Sequence, residues 1–495
     1  MSTSAAEERE LRSLALSVLM PGVPGTRVPE WIGTYFQAGL ASICLYGENV
    51  VSPYQLAEFV AKIRTLGPHA IVAIDEEGGD VTRIHYREGS PYPGNSVLGR
   101  LDDEDVTRNT AAHVGWSLRR LGINLDLAPD VDVNSNSDNP VIGTRSFGAD
   151  PDLVARHAVA WVRGLQSQGV AACAKHFPGH GDTSVDSHLA LPMLNAPLET
   201  LHGRELVPFQ AVADGGLAAV MTSHICVPAL DPGVAATYSP KILQGLLRDQ
   251  IGFEGVVISD ALDMQGAGSE GGIPAGCVRA LAAGCDLLCL GPGCTPDLLD
   301  QCVEAIIGAV EDGSLSRQGL ERASLRVGIL GRVVAVDPHD NPEPQPPLLP
   351  AAALKEAFTG LHEAQDWFRT HPDYTVARVE SPASMAVGHV PWGPFSTASE
   401  AENNAVRTRF AAAIPLYPDA LPDNAPTESP IVVVGRLLHR DPEVGAALQR
   451  WSDSGSQVLL VEMGWPNDHN LPFPRLATYG ASRAIGDALL EAIAN

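Results

Sequence analysis

The segment Ala174-Lys-His-Phe-Pro-Gly-His-Gly-Asp-Thr-Ser-Val-Asp-Ser-His188 places one cation, three histidines and two carboxylates directly behind an apolar run. Imidazoles beside carboxylates exchange protons near neutral pH, and lysine or arginine holds hydroxyls through charge-assisted hydrogen bonds. The run "GVAACAKHF" reads as a buried strand, so Lys175 and His176 are expected at its carboxyl end and the rest in a loop. A second candidate, Asp260, follows the apolar pattern "GVVIS" and would be fixed to a rigid wall, as an attacking carboxylate must be.

Elements must bring these groups together. From Leu11 to about Leu330 short apolar runs alternate with stretches at helical spacing. The expected strands are 17–20, 42–46, 70–74, 123–128, 170–174, 218–223, 255–259 and 286–290. Segments 102–122, 150–169 and 239–252 open on Ser or Asp and close on Gly, as helices do. This repetition favours a (β/α)8 TIM barrel over residues 1–336 rather than an open doubly wound sheet. An open sheet would carry a glycine-rich phosphate turn after its first strand, which "MPGVPGTR" matches poorly.

In such a barrel all carboxyl ends share one rim. The third strand then delivers Asp75, with Gly78 and Gly79 turning the chain towards Arg83; the loop after the fourth brings Arg145. The fifth supplies Lys175 and His176, the sixth His224 and the seventh Asp260. A retaining glycosidase needs a carboxylate nucleophile and a proton donor across the scissile bond. Asp260 suits the first role, and Asp186 orienting His188 suits the second. Arg83, Arg145, Lys175 and His176 would hold sugar hydroxyls, with His224 as a further candidate substrate-binding group. The competing reading is a metallohydrolase using His176, His180, Asp182, Asp186 and His188. Its ligands would all come from one loop and Lys175 would oppose the cation, so no metal or other cofactor is expected.

The 33 basic and 59 acidic residues give a formal charge of −26, which disfavours nucleic acid and anionic membrane surfaces as partners. The amino terminus carries acids where a secretory signal carries lysine or arginine, so a cytoplasmic location is expected. The eight cysteines mostly fall within apolar patterns without a Cys-x-x-Cys pair and read as buried free thiols. Residues 337–350 form a proline-rich linker, and 351–495 alternate strand and helix patterns as a smaller α/β layered domain. No catalytic constellation stands out there; Glu462 and Trp465 read as strand-end and packing groups.

Four motifs, "KHFPGHGDTSVDSH", "DEEGGDVTR", "NPVIGTRSFG" and "GVVISDALDM", resemble the β-N-acetylglucosaminidase (β-N-acetylhexosaminidase) branch of glycoside hydrolase family 3 over about residues 10 to 330. The resemblance implies a covalent glycosyl intermediate on Asp260 and an Asp186–His188 acid/base dyad. It implies sugar binding by Asp75, Arg83, Arg145, Lys175 and His176. The substrate implied is a terminal N-acetylglucosamine on a cell-wall (muropeptide) or chitin-derived oligosaccharide, in keeping with peptidoglycan recycling. Glu76 and Asp80 depart from the pattern, since related sequences commonly carry Gln and Arg there. The carboxyl-terminal domain resembles the family more loosely and implies a structural or dimerising role, as in a homodimer. Two further alternatives stand: a phosphorylase, because a neutral histidine base does not repel phosphate, and a non-catalytic sugar-binding protein on the same fold.

Overall fold

The computed structural model describes residues 5–184, 191–268, 270–335, 347–380, 386–396, 405–467 and 473–494. Eight parallel strands form a ring. Strands β2 (Ser42–Leu45), β3 (Ile71–Ile74), β4 (Leu125–Asp126), β5 (Ala171–Phe177), β6 (Ala219–Thr222) and β7 (Val256–Ile258) pair in sequence order. β1 (Leu19–Met20) pairs with β8 (Leu288–Cys289), and bridges Gly22–Cys44 and Ile258–Leu287 join this pair to β2 and β7. All eight expected strands are present, most of them shorter than their apolar runs.

Alternation explains how the ring is filled. Ala73, Ala171, Cys173, Ala219 and Cys289 point inward among Leu125, Met221 and Ile258, so small side chains let the wall close without a channel. Val72, Ile74, Val220 and Val257 belong instead to the larger core beneath the surrounding helices. Val327 and Leu330 of helix Arg317–Val333 join the inner cluster. All eight cysteines are buried and free, as their apolar settings predict.

The capping residues act as the sequence suggests. Asp103 accepts the Asp105 and Val106 N–H groups at the start of helix Glu104–Arg120, and Asp150 accepts those of Asp152 and Leu153 before helix Pro151–Ser167. The third predicted helix winds more widely, as a π-helix over Lys241–Gln250, with Ser239 Oγ accepting the Ile242 N–H at 3.2 Å.

The carboxyl-terminal sheet has five parallel strands in the order β10-β9-β11-β12-β13. They are β9 (Thr375–Val379), β10 (Ile414–Leu416), β11 (Ile431–Gly435), β12 (Val458–Glu462) and β13 (Arg475–Ala477). β10 is not evident in the sequence because it is short and contains Pro415, which only an edge strand accommodates. Helices cover both faces: Trp367, Phe410 and Leu489 pack on one side, and Val444, Leu448 and Trp451 on the other.

The carboxyl-terminal half packs on the barrel beside helix Asn95–Leu101. Val97 of the barrel segment joins the carboxyl-terminal core, Arg100 Nε donates to the Ala357 carbonyl (2.6 Å), and the Arg100 guanidinium lies 3.9 Å from the Tyr479 ring centroid. Among the described residues, no helix is long and apolar enough to cross a membrane.

Candidate active site

The turn after β3 is built around a buried carboxylate. Glu76 accepts the Thr82 hydroxyl at 2.7 Å and the backbone N–H groups of Arg83 and Ile84 at 2.9 and 3.0 Å. Burial pushes its pKa up, against the pull of His85 and these donors. Glu76 therefore folds the turn back on itself and brings Arg83 beside Asp75. Arg83 Nη2 lies 3.7 Å from Asp75 Oδ2 and donates to the Ala386 carbonyl at 2.8 Å.

Strand β5 is longer than expected and runs through Lys175 and His176. Its register against β6 shifts between Ala174 and Phe177. Successive residues of a regular strand face opposite sides; here this irregularity accompanies two neighbours that both line the site. Lys175 Nζ sits 2.7 Å from both Asp75 Oδ1 and Glu77 Oε1, with only 2 % of its side chain exposed. Burial alone would favour the neutral amine, but Asp75 and Glu77 hold the pKa above its ordinary value, so the ammonium persists.

Glu77 is the hub. Arg145 grips it twice, Nε to Oε2 at 2.9 Å and Nη2 to Oε1 at 2.8 Å. Burial opposes its charge, yet Arg145 and Lys175 hold the carboxyl well below the usual range. Arg145 Nη2 also lies 3.3 Å from His176 Nε2, while His176 Nδ1 is 2.8 Å from Asp132 Oδ2. An arginine can only donate, so Nε2 accepts and Nδ1 carries the proton towards Asp132. Asp132 also receives the His180 N–H at 2.6 Å; burial would raise its pKa, but His176 and His180 keep it low. His180 itself is pushed down to about 4 by burial and is neutral, its Nδ1 2.6 Å from Thr183 Oγ1.

Asp260, at the end of β7, rests on a hydroxyl relay. Its N–H is 3.4 Å from Thr222 Oγ1, and one carboxylate oxygen accepts the Ala261 N–H at 2.8 Å. Thr222 meets Thr237 at 2.8 Å, and Thr237 meets His224 Nδ1 at 3.0 Å. His224 Nε2 then donates to the Ala261 carbonyl at 3.0 Å. His224, expected to face the substrate, has its ring bonded to Thr237 and to the Ala261 carbonyl beside Asp260, and the residues lining the cavity do not include it.

Six of the nine predicted residues, Asp75, Arg83, Arg145, Lys175, His176 and Asp260, line one cavity of about 330 Å³. Asp186 and His188 lie outside the described residues. Glu77, Asp130 and Asp132 do not emerge from sequence reasoning, although "DEEGG" and "PDVDVN" contain them. Their signal is positional: Glu77 is two residues from Asp75, and Asp130 and Asp132 alternate in the stretch after β4. Of the five residues in the metallohydrolase reading, His176, His180 and Asp182 lie among the described residues. Asp182 pairs with Arg204 at 2.6 Å, and the nearest alternative trio, Asp130, Asp132 and His176, has the Arg145 guanidinium 3.6 Å from Asp130. What remains is a fixed carboxylate facing charge-locked hydrogen-bond donors, equipment for holding a polyhydroxylated ring against a nucleophile.

The chain is similar to known proteins. A β-hexosaminidase of Stenotrophomonas maltophilia is 36% identical over 324 residues, covering 64% of this chain and 91% of that protein. The structure of a glycoside hydrolase family 3 β-N-acetylglucosaminidase from a Paenibacillus species superposes with a TM-score of 0.81 at 27% identity, covering 98% of this chain and 96% of the other. NagZ from Neisseria gonorrhoeae, in complex with N-trifluoroacetyl-D-glucosamine, is 31% identical with a TM-score of 0.53, covering 63% of this chain and 97% of its own. The family model for the glycosyl hydrolase family 3 N-terminal domain matches residues 24–330. The chain is therefore a glycoside hydrolase and belongs to glycosyl hydrolase family 3.

Proposed function

We propose that this protein is a retaining exo-β-N-acetylglucosaminidase that releases terminal N-acetylglucosamine from cell-wall or chitin-derived fragments. The observation that carries the reading is the placement of Asp260 in one small cavity with Lys175, His176, Arg145 and Asp75. Relatives and structural neighbours named for β-hexosaminidase and β-N-acetylglucosaminidase activity support the sugar.

In this mechanism Asp260 attacks the anomeric carbon while the leaving oxygen takes a proton from His188, whose charge Asp186 stabilises. A sugar–Asp260 ester forms and the glycosidic bond breaks. His188 then takes a proton from water, which displaces Asp260 and regenerates both groups. Lys175, Arg145, His176, Asp75 and Arg83 hold the ring, and their mutual pairing fixes them before substrate arrives, so little ordering remains to oppose binding. A cytoplasmic setting suits recycling of imported fragments. The test is product analysis on an N-acetylglucosamine disaccharide with and without phosphate. Free N-acetylglucosamine of retained configuration is expected in both; N-acetylglucosamine 1-phosphate would make the enzyme a phosphorylase.

A further inference from the structure

The chain carries Asp186 and His188 between two stretches that the barrel holds firmly. After them, the Leu194 N–H donates to the Cys226 carbonyl and the Cys226 N–H to the Pro192 carbonyl, both at 2.9 Å. Before them, residues 179–183 are gripped from two directions. From the loop after β4, Asn139 Nδ2 donates to the His180 and Gly181 carbonyls at 2.9 and 3.1 Å, and Asn136 Nδ2 to the Thr183 carbonyl at 3.2 Å. The asparagines hold only backbone.

The second grip comes from the helical stretch 198–214, which widens into a π-helix over Leu201–Glu205, a local irregularity frequent at functional sites. The last two residues of this turn both meet the strand-5 loop. Glu205 lies directly against Gly179, whose φ is +124°; a Cβ there would come within 2.8 Å of Glu205 Cβ. Arg204 bridges two carboxylates, Nε donating to Glu205 Oε1 and Nη2 to Asp182 Oδ2, both at 2.6 Å. A guanidinium is a rigid planar fork. Glu205, with none of its side chain exposed, therefore fixes Arg204, and Arg204 in turn fixes the direction of Asp182.

Arg204 and Asp182 keep 24 % and 36 % of their side chains exposed, and a pair so solvated adds little to stability. What it fixes is direction. Asp182 stands four residues before Asp186 and six before His188, and neither it nor Arg204 lines the cavity that holds Asp260. A proton donor must lie within hydrogen-bond reach of the leaving oxygen, and a displacement of about 1 Å costs roughly 100-fold in rate. We propose that Arg204 is a positioning residue for proton transfer: by pairing with Asp182 it sets the path of the segment that carries Asp186 and His188. The inference rests on the acid/base reading above and extends it to a residue outside the cavity lining.

The test compares kcat/KM of the whole chain on a β-1,4-linked N-acetylglucosamine disaccharide and on a nitrophenyl glycoside, whose leaving group departs without a proton. Arg204→Ala and Asp182→Asn are each expected to lose about tenfold or more on the disaccharide and less than about threefold on the nitrophenyl glycoside, with Arg204→Lys in between. In a His188→Ala background, adding Arg204→Ala should cost less than about a further twofold on the disaccharide, because the group it positions is gone. Equal losses on both substrates, no loss on the disaccharide, or a full additional loss in the double variant would overturn the inference. His188→Ala alone separates it from the reading beneath. A leaving-group split in His188→Ala but not in Arg204→Ala would overturn the positioning role only. Equal loss on both substrates in His188→Ala would overturn the acid/base reading and the positioning role with it.

Discussion

Arg145 and Glu77 meet through two parallel hydrogen bonds of 2.9 and 2.8 Å, with 7 % and 3 % of their side chains exposed. Because Lys175 shares the same carboxylate at 2.7 Å, one anion locks two cations that line the cavity. Glu77→Gln leaves both cations buried with half their partner. The expected cost is about 3–5 kcal/mol of stability, the scale for breaking a buried pair, with a fall in kcat/KM beyond it. Denaturant unfolding and steady-state kinetics check this, and a change under 1 kcal/mol would show that Glu77 is not the hub.

His224 bonds the carbonyl of Ala261, the residue after Asp260, so its removal is expected to affect the chemical step more than binding. His224→Ala is expected to lower kcat roughly tenfold to a hundredfold with little change in KM, the pattern of an interaction that matters in the transition state. A rise in KM with kcat preserved would restore His224 as a sugar holder.

Glu205 should make stability depend on pH. Burial pushes its carboxyl up to about 7, overcoming the neighbouring Arg204, and Oε2 is buried without a hydrogen bond. A raised folded-state pKa means that stability is fully present below about 4.5 and is lost as pH rises through about 7. Glu205→Gln should therefore unfold at a higher temperature than wild type at pH 8.5. The gain should be up to about 3 kcal/mol, with little difference at pH 4.5. Parallel melting curves across the range would refute the assignment.

His188 is assigned as proton donor from sequence. His188→Ala should lose activity steeply on natural disaccharides and much less on substrates with acidic leaving groups, which depart without a proton. Comparing kcat/KM on a disaccharide and a nitrophenyl glycoside checks this; equal loss on both would transfer the role elsewhere.

Much of the site is legible in the chain because barrel geometry turns strand ends into a rim. Asp75, Arg83, Arg145, Lys175, His176 and Asp260 follow from that single rule. His224 shows its limit: lying at a strand's carboxyl end fixes where a residue begins but not which way its ring turns, and here Thr237 and the Ala261 carbonyl decide. Glu77 and Asp132 are hidden for a related reason, since a buried carboxylate in an acidic turn looks like a solvated one until its cations are placed around it. The part played by Ala386 depends on how two distant segments pack, which no local pattern records.

The central claim is that Asp260 carries the sugar between the two half-reactions. Treating the enzyme with a slow fluorinated N-acetylglucosaminyl substrate and mapping the adduct by peptide mass spectrometry tests it most directly. The account predicts one glycosyl group on the peptide containing Asp260, and none in Asp260→Ala, whose turnover should fall roughly 10⁴-fold or more. An adduct on another residue, or persistent turnover in Asp260→Ala, would contradict it.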